Sequence, residues 1–197
     1  MNPIPRGELA RKLIHITNLV IPLSYLWIFQ NQITMVGILL FFTILSIFIE
    51  MFRVRSSQVS SFFERWLNFM MRKNETSGNI TGATWVFVGA FLTVLLVPNP
   101  YAVLGLIFLS VGDTVAALIG IGYPLVRIGR KTLSGTLSGF VVCILAGKAT
   151  GLPVSDLVII FGASVAMVIE LIPSPVNDNV TIPLSSGLAM ALIGSAL

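Results

Sequence analysis

The residues of this sequence best suited to chemistry are an acid inside an apolar segment and the basic loop that follows it. Asp113 comes after eleven uncharged residues, 102–112, in a run long enough to cross a bilayer. An ionised carboxylate at that depth costs about 3 kcal/mol or more, so such residues face a bundle interior or a wet cavity and commonly mark a functional site. Asp113 is therefore the first candidate site residue. The alternative is a structural aspartate paired with an arginine.

The basic loop carries charges that are complementary to a phosphate. It contains Arg127, Arg130 and Lys131, and Thr132 and further hydroxyl residues follow at the predicted start of the next helix. Free backbone N–H groups at a helix N-terminus form an anion site that a lysine and hydroxyl groups can complete. An acid near such a loop indicates binding of a phosphate together with a metal ion. The loop is not a P-loop, because the G-x-x-x-x-G-K-[ST] spacing is absent.

A polar helical face near the N-terminus adds further candidates. Glu8, Arg11, Lys12, His15 and Asn18 follow the spacing of one helix face, so they enter the membrane with the first apolar segment. Arg11 and Lys12 are candidate phosphate ligands. A lone histidine at a membrane boundary is commonly a structural, hydrogen-bonded residue, whereas the neighbouring acid and bases favour a catalytic role. Both interpretations of His15 stay open.

The polar segment 72–84, which leads into the third apolar run, contains Arg72, Lys73 and Glu75. A segment that only connected two helices would not need so many polar residues. Arg72 and Lys73 are candidate phosphate ligands, and Glu75 is a candidate hydrogen-bonding residue of the same site. Residues 59–70, just before this segment, have an apolar stripe opposite a polar face, which predicts an amphipathic helix lying in the cytoplasmic interface.

Oxygen donors cluster after the sixth apolar run. Glu170 closes that run, and Asp178 and Asn179 follow among prolines that should keep the backbone from forming regular helix. An ordinary turn is one interpretation of this segment. Opposite Asp113 in a bundle, however, Asp178 would supply the second carboxylate of a magnesium–nucleotide site. The candidate metal ligands are Asp113, Asp178, Asn179 and Glu170.

Composition determines which elements position these residues. The 197 residues are 55% hydrophobic and 10% charged, with a mean hydropathy of +0.94. These values predict a polytopic, all-α membrane bundle forming a single domain, 1–197. Seven apolar runs approach the roughly 20 residues that a crossing helix needs, and six or eight spans remain alternatives. The runs are 13–30, 32–52, 80–97, 101–121, 133–150, 154–172 and 180–197.

The basic residues predict an orientation. With a cytoplasmic N-terminus, every Lys and Arg except Lys148 falls on the cytoplasmic side, as the positive-inside rule requires. The candidate site then also lies at the cytoplasmic face. The net charge of +4 does not indicate nucleic-acid binding, because no aromatic residues are interleaved with the basic ones. The single cysteine, Cys143, excludes an internal disulfide and a cysteine metal centre, so a metal would be held by oxygen or by His15.

Small residues predict that the two central helices pack closely. They recur every four positions at Gly112, Ala116 and Gly120 on one helix, and at Gly135 and Gly139 at the start of the other. Such spacing lets membrane helices approach backbone to backbone.

Taken together, these motifs resemble those of the CTP-dependent polyprenol and lipid kinases. The motifs, in order along nearly the whole chain, are ELARKLIH, RKNE…TGAT, GDTVAALIGIGYP…GRKTLSGTLSG and E-x-x-P…DN…P. The group includes dolichol kinase, phytol and farnesol kinases and the fungal-type diacylglycerol kinase. More distantly, the chain is similar to phosphatidate cytidylyltransferase.

The resemblance implies phosphoryl transfer from CTP, with Mg²⁺ or another divalent cation, to the hydroxyl of a membrane-embedded alcohol. The acceptor would be an isoprenoid alcohol such as phytol, geranylgeraniol or a polyprenol, or else diacylglycerol. It implies that Asp113 and Asp178 hold or orient the metal and that Lys131 and Thr132 contact phosphates. Asp113, Lys131 and His15 are the predicted catalytic residues. The nucleotide site would also include Arg11, Lys12, Arg72, Lys73, Glu75 and Arg130.

Two other functions are alternatives. A cytidylyltransferase would use the same nucleotide and metal but release pyrophosphate and form a CDP-lipid. A small transporter would use Asp113 to bind a cation or proton, and it predicts internal repeats that the two halves of the chain do not show. For the kinase we expect a multi-pass protein of the plasma membrane if the source is prokaryotic, with a cytoplasmic site. The oligomeric state stays open.

Overall fold

The computed structural model describes residues 2–67 and 79–196, and within them the chain is all-helical apart from one short β-hairpin. The hairpin pairs β1 (Arg127–Ile128) with β2 (Lys131–Thr132) in antiparallel register. The helices are α1 (Arg6–Thr17), α2 (Val20–Trp27), α3 (Gln32–Arg55), α4 (Ser57–Leu67), α5 (Gly82–Leu96), α6 (Tyr101–Ile107), α7 (Asp113–Gly122), α8 (Leu133–Ala149), α9 (Asp156–Leu171) and α10 (Asp178–Gly194). A π-helical segment, Phe108–Gly112, joins α6 to α7 without a break. The predicted all-α class is confirmed.

Among residues 2–67 and 79–196, two helices are long and apolar enough to cross a membrane. They are Gln32–Arg55, with 24 residues, and the continuous helix Tyr101–Gly122, with 22 residues; the most apolar 18-residue stretch has a mean hydropathy of 2.4 in the first and 2.2 in the second. Apolar side chains such as Phe41, Phe48 and Phe52 are exposed along the first of these helices. Contiguous exposed apolar surface of this kind suggests membrane association. The other described helices are shorter or less apolar, so the seven-span topology goes beyond this finding.

The first predicted apolar run, 13–30, is not one helix. It is divided between α1 and α2, with a break at Asn18 and Leu19. Pro22 explains the break, because a proline lacks the N–H that would donate to the carbonyl of Asn18, and its ring clashes with that carbonyl. The chain tightens instead, and the N–H of Ile21 donates to Asn18 O at 3.0 Å. As a result, α1 is free to tilt its polar face towards α7.

The segment around Asp178 also differs from the prediction. Asp178 and Asn179 form the first turn of α10, which continues through Pro183, so this backbone is regular helix. The side chain of Asn177 caps the helix by accepting from the N–H of Asn179 at 3.0 Å. Proline was expected to prevent helix here. The cap and the packing of α10 against α5, α6 and α9 outweigh the one lost backbone hydrogen bond.

The predicted close packing of the two central helices, α7 and α8, is confirmed. A Cβ atom placed on Gly135 would clash with the carbonyl of Ala116, and one placed on Gly139 would lie 3.0 Å from the carbonyl of Gly112. Only glycine allows the backbones to come this close. Because the β-hairpin connects these two helices, their contact also fixes where the basic loop lies.

Candidate functional site

Asp113 is the centre of a buried cluster of charges that joins α1 to α7. Lys12 Nζ lies 2.5 Å from Asp113 Oδ2 and 3.1 Å from the carbonyl oxygen of the same residue. His15 Nε2 lies 3.0 Å from the same Oδ2 atom. The three side chains are 6%, 9% and 12% exposed for Lys12, His15 and Asp113. We call Lys12, His15 and Asp113 the inner cluster.

The hydrogen bonds of His15 indicate its tautomer. Asn18 Nδ2 lies 3.0 Å from His15 Nδ1, so the amide donates to that ring nitrogen. The neutral ring then carries its proton on Nε2, which is the atom that faces the carboxylate of Asp113. His15 Nε2 therefore faces Asp113 Oδ2 at 3.0 Å without the geometry of a regular hydrogen bond, while Lys12 neutralises the charge of Asp113.

The π-helical segment explains how Asp113 is presented to α1. A π turn adds a residue to the helix and is frequent at functional sites. Phe108–Gly112 ends directly before Asp113. A Cβ atom on Gly112 would lie 2.5 Å from Cys143 Sγ and 2.8 Å from Met167 Cε, so the preceding position faces the packed core. The next side chain, Asp113, is consequently directed away from that core and towards Lys12.

A second cluster lies where the hairpin meets the ends of α9 and α10. Lys131 Nζ lies 2.6 Å from Glu170 Oε1 and 3.4 Å from Asp178 Oδ2. Glu170 is almost fully buried, with 2% of its side chain exposed, whereas Lys131 and Asp178 are each 33% exposed. We call Lys131, Glu170 and Asp178 the outer cluster. The tertiary fold thus brings together residues separated by up to 47 positions in the sequence.

The loop that carries Lys131 is fixed by Ser134. Its hydroxyl donates to the carbonyl of Tyr123 at 2.7 Å and accepts from the N–H of Leu125 at 3.1 Å. These contacts close the loop between α7 and α8. The loop also contains Val126 at φ 38°, an unusual conformation for a β-branched residue. The position of Lys131 is therefore determined by a structured loop.

The pKa of Lys131 connects the two clusters electrostatically. Burial alone would lower the pKa of this lysine, but Glu170, Asp113 and Asp178, in that order of strength, raise it above the usual 10.5. Lys131 is therefore protonated throughout the neutral range. Asp113, a member of the inner cluster, is therefore close enough to contribute to the raised pKa of Lys131.

The predicted metal ligands do not form one ready metal centre. Among residues 2–67 and 79–196, no three His, Cys, Asp or Glu side chains are grouped so that they could hold a metal ion. Glu170 and Asp178 supply the oxygen donors that Mg²⁺ prefers, but the ammonium of Lys131 lies between them. The amide of Asn179 donates to Gly82 O at 3.0 Å, which ties α10 to α5. The carboxylate oxygens of Glu170 and Asp178 could bind a divalent cation only if Lys131 moved away from them.

Other predicted phosphate ligands have different partners. Lys12 is buried against Asp113, so its ammonium neutralises a carboxylate in this structure. Thr132 caps α8 by accepting from the N–H of Gly135 at 3.2 Å. Arg11 pairs with Glu8 at 2.7 Å at the edge of the site. Arg130 is exposed at the hairpin turn and is accessible to a ligand. Lys131 and Arg130 are therefore the best placed of the predicted phosphate ligands described.

Three predicted site residues, Arg72, Lys73 and Glu75, lie outside the described residues. At the other end of α8, Lys148 pairs with Asp156 at 2.8 Å, and both side chains are more than half exposed. This surface pair is separate from the candidate site. It provides a control lysine for experiments on Lys131.

The sequence interpretation missed one polar cluster. Glu50 and Arg53 are not among the candidate site residues of the sequence analysis, yet both are buried. Glu50 accepts from the N–H and hydroxyl of Thr81 and from the hydroxyl of Thr84, and Arg53 donates to it at 2.8 Å. The available sequence signal was the pair of threonines at the start of the next apolar run.

Comparison with known proteins gives a relative but no activity. The chain is 27% identical over 186 residues to an uncharacterized protein of Rickettsia prowazekii (strain Madrid E), covering 90% of each chain. No family model matches the chain. No solved structure matches it either.

Proposed function

We propose that this protein is an integral membrane kinase that transfers a phosphoryl group from CTP to the hydroxyl of a membrane-embedded isoprenoid alcohol. The observation that carries the proposal is the outer cluster, in which a loop lysine meets two carboxylates at the end of an apolar helix bundle. Phosphoryl transfer requires positioning and charge neutralisation more than covalent catalysis. A mobile cation and oxygen donors beside a lipid phase supply those two requirements.

The proposal includes a multi-pass topology with seven spans, a cytoplasmic N-terminus and a cytoplasmic site. Six of the seven apolar runs each overlap one described helix, namely α3, α5, α8, α9, α10 or the continuous helix Tyr101–Gly122, and the first run, 13–30, is divided between α1 and α2. The end of α3, the hairpin and the start of α10 all lie on one side of such a bundle. The amphipathic helix α4 would lie in the interface at that side, with Phe62 and Trp66 in the lipid.

In this mechanism the outer cluster binds the triphosphate. Lys131 leaves the carboxylates of Glu170 and Asp178 and donates to phosphate oxygens, and Arg130 approaches from the hairpin turn. Glu170 and Asp178, released from the lysine, would hold the divalent cation. When bound, Mg²⁺ would neutralise charge on the transferred phosphoryl group and its leaving oxygens. The lysine would therefore neutralise part of the charge of the two carboxylates before substrate binds, and it would contact the phosphates afterwards.

The inner cluster then positions the acceptor alcohol. Asp113 Oδ2 is held by Lys12 and His15, whereas Asp113 Oδ1 accepts no hydrogen bond from the described residues. Oδ1 is available to accept the proton of an alcohol that approaches between α1 and α7. Asp113 would thus orient the hydroxyl and serve as the general base, with His15 holding the carboxylate in place.

The decisive experiment is an assay of the purified protein with labelled CTP and a panel of alcohols. The panel contains phytol, geranylgeraniol, undecaprenol and diacylglycerol, with ATP as a comparison donor. A kinase forms CDP and a lipid phosphate. Pyrophosphate and a CDP-lipid would show the cytidylyltransferase instead, and solute transport in liposomes without nucleotide turnover would show the transporter.

A further inference from the structure

A groove separate from the two clusters lies between the end of α3 and the start of α5. It has a volume of about 330 Å³ and is lined by Ile47, Met51, Val54, Ile80 and the polar residues of its floor and rim. Ile47, Met51 and Val54 are spaced along one face of α3, so they form a continuous apolar wall. Ligand pockets usually have volumes of about 300–1,000 Å³, so this groove suits a single hydrocarbon segment.

The floor of the groove is polar but electrically neutral. Glu50 accepts hydrogen bonds from Thr81 and Thr84 and pairs with Arg53 at 2.8 Å. Arg53 in turn donates to the carbonyl of Asn79 at 2.7 Å. Since the carboxylate and the guanidinium compensate each other, the floor has no net charge to attract a cation or an anion. The cluster therefore holds α3 and α5 together and gives the groove a rigid base.

The rim of the groove has an uncompensated positive charge. Arg55 lines the groove, is exposed, and has no carboxylate partner among residues 2–67 and 79–196. Arg55 is the last residue of α3. If α3 crosses the bilayer, its end lies at the level of the lipid headgroups. An apolar wall that ends in an arginine is complementary to a molecule with a hydrocarbon chain and an anionic head.

We propose that this groove binds one anionic phospholipid of the bilayer, with part of an acyl chain against Ile47, Met51 and Val54 and the phosphate on Arg55. A lipid with net negative charge is favoured over a zwitterionic one, because the groove has a positive rim and, among the described lining residues, the only acid, Glu50, is already paired and cannot bind a choline or ethanolamine. The inference rests on the proposed membrane topology. It does not depend on kinase activity.

The test is native mass spectrometry of the detergent-solubilised full chain, without nucleotide, in the presence of phosphatidylglycerol or phosphatidylcholine. We expect the wild type to retain phosphatidylglycerol more strongly. Arg55→Gln should weaken that binding about tenfold, the value of a lost charge-assisted hydrogen bond, and remove the preference between the two lipids. Val54→Trp fills the groove from an exposed position and should weaken binding of both lipids.

Arg6→Gln is the matched control, because it removes an exposed positive charge at the start of α1, on a different helix. Its lipid binding should equal that of the wild type. Each variant is first checked for a monodisperse elution profile, so that loss of fold is recognised separately. Wild-type retention of phosphatidylglycerol by Arg55→Gln or by Val54→Trp would overturn the proposal. Equal retention of the two lipids by the wild type would overturn it as well.

Discussion

The inner and outer clusters both pair a lysine with a carboxylate, but they differ in how much water reaches the lysine. In the inner cluster, Lys12 and Asp113 are only 6% and 12% exposed and are held 2.5 Å apart by a histidine and two helices. In the outer cluster, Lys131 and Asp178 are each one-third exposed and 3.4 Å apart, and only Glu170, 2.6 Å from the lysine, is buried. Breaking a buried pair leaves an unpaired charge, whereas a partly exposed lysine can exchange its carboxylates for water or a ligand.

The difference in exposure shows that the same Arg-Lys motif can have different roles at two places in the fold. Lys12 and Lys131 both follow an arginine and both meet a carboxylate, yet only Lys131 lies on a loop with access to solvent. The inner cluster is suited to fixed orientation of one carboxylate oxygen. The outer cluster is suited to exchange of a bound cation for a substrate. The four predictions that follow test this division of roles.

The largest effect is expected for Asp113→Asn, which keeps the shape of the side chain but removes its charge and basicity. We expect lipid kinase activity to fall about 10²–10⁴-fold, the usual contribution of a general base. Membrane insertion and a monodisperse elution profile should be retained, because Lys12 keeps its hydrogen bond to the carbonyl oxygen of residue 113 and the Asn side-chain oxygen can still accept from it. Near-normal turnover by this variant would exclude Asp113 from the reaction.

The next effect concerns stability and compares Lys12→Met with Lys131→Met. Removing Lys12 leaves Asp113 buried and unpaired, so we expect the free energy of unfolding to fall by about 3–5 kcal/mol. Lys131→Met also removes the partner of the buried Glu170, but it should cost less, since the position of the lysine is one-third exposed and water can take its place beside both carboxylates. Denaturant unfolding in detergent measures both, and the double variant Lys12→Met with Asp113→Asn should regain part of the loss. Equal losses for the two lysines would contradict the proposed difference between the clusters.

A smaller effect on turnover is expected for Lys131→Ala. Loss of one charge-assisted contact to phosphate should lower kcat/KM for the nucleotide about 10–100-fold. Lys148→Ala, the matched control at the opposite end of α8, should leave it unchanged. If both variants lose activity equally, Lys131 acts through charge or topology and does not contact phosphate.

The smallest effect is a dependence of stability on pH. The neighbouring carboxylates raise the pKa of Lys131 above its usual 10.5. A raised pKa means that the stabilisation is complete below the unfolded value and is lost as pH rises through the folded value. Comparison of the Tm of the wild type with that of Lys131→Gln should therefore show a constant difference between about pH 7 and 9. That difference should shrink only in strongly alkaline buffer, and a decline near neutral pH would contradict the lysine–carboxylate assignment.

Much of the fold was predictable because hydrophobic runs of helical length leave few alternatives. The runs 32–52 and 101–121 coincide with helices long enough to span a membrane, and the close packing of α7 and α8 followed from the glycine spacing. The break at Asn18 and Leu19 was harder to predict from the sequence, because Pro22 lies within an otherwise continuous apolar run. The burial of Glu50 and Arg53 was missed because their partner, Thr81, belongs to another helix.

The candidate site was predictable in its residue types but not in its pairings. The sequence marked Asp113, Lys131, Glu170 and Asp178 as unusual, because charge in or beside apolar segments is costly and needs a partner. It could not show that Lys12 forms an ion pair with Asp113, whereas Lys131 forms ion pairs with Glu170 and Asp178.

By itself, then, the sequence determined the all-helical class, the apolar segments and the identities of the charged residues, since these follow from local composition and periodicity. The tertiary structure alone decided which charges meet, how much water reaches them, and that Thr132 caps a helix. The physical reason is that ion pairing depends on distances and burial set by helix packing. Those quantities join residues as far apart as Lys12 and Asp113, and no local pattern encodes them.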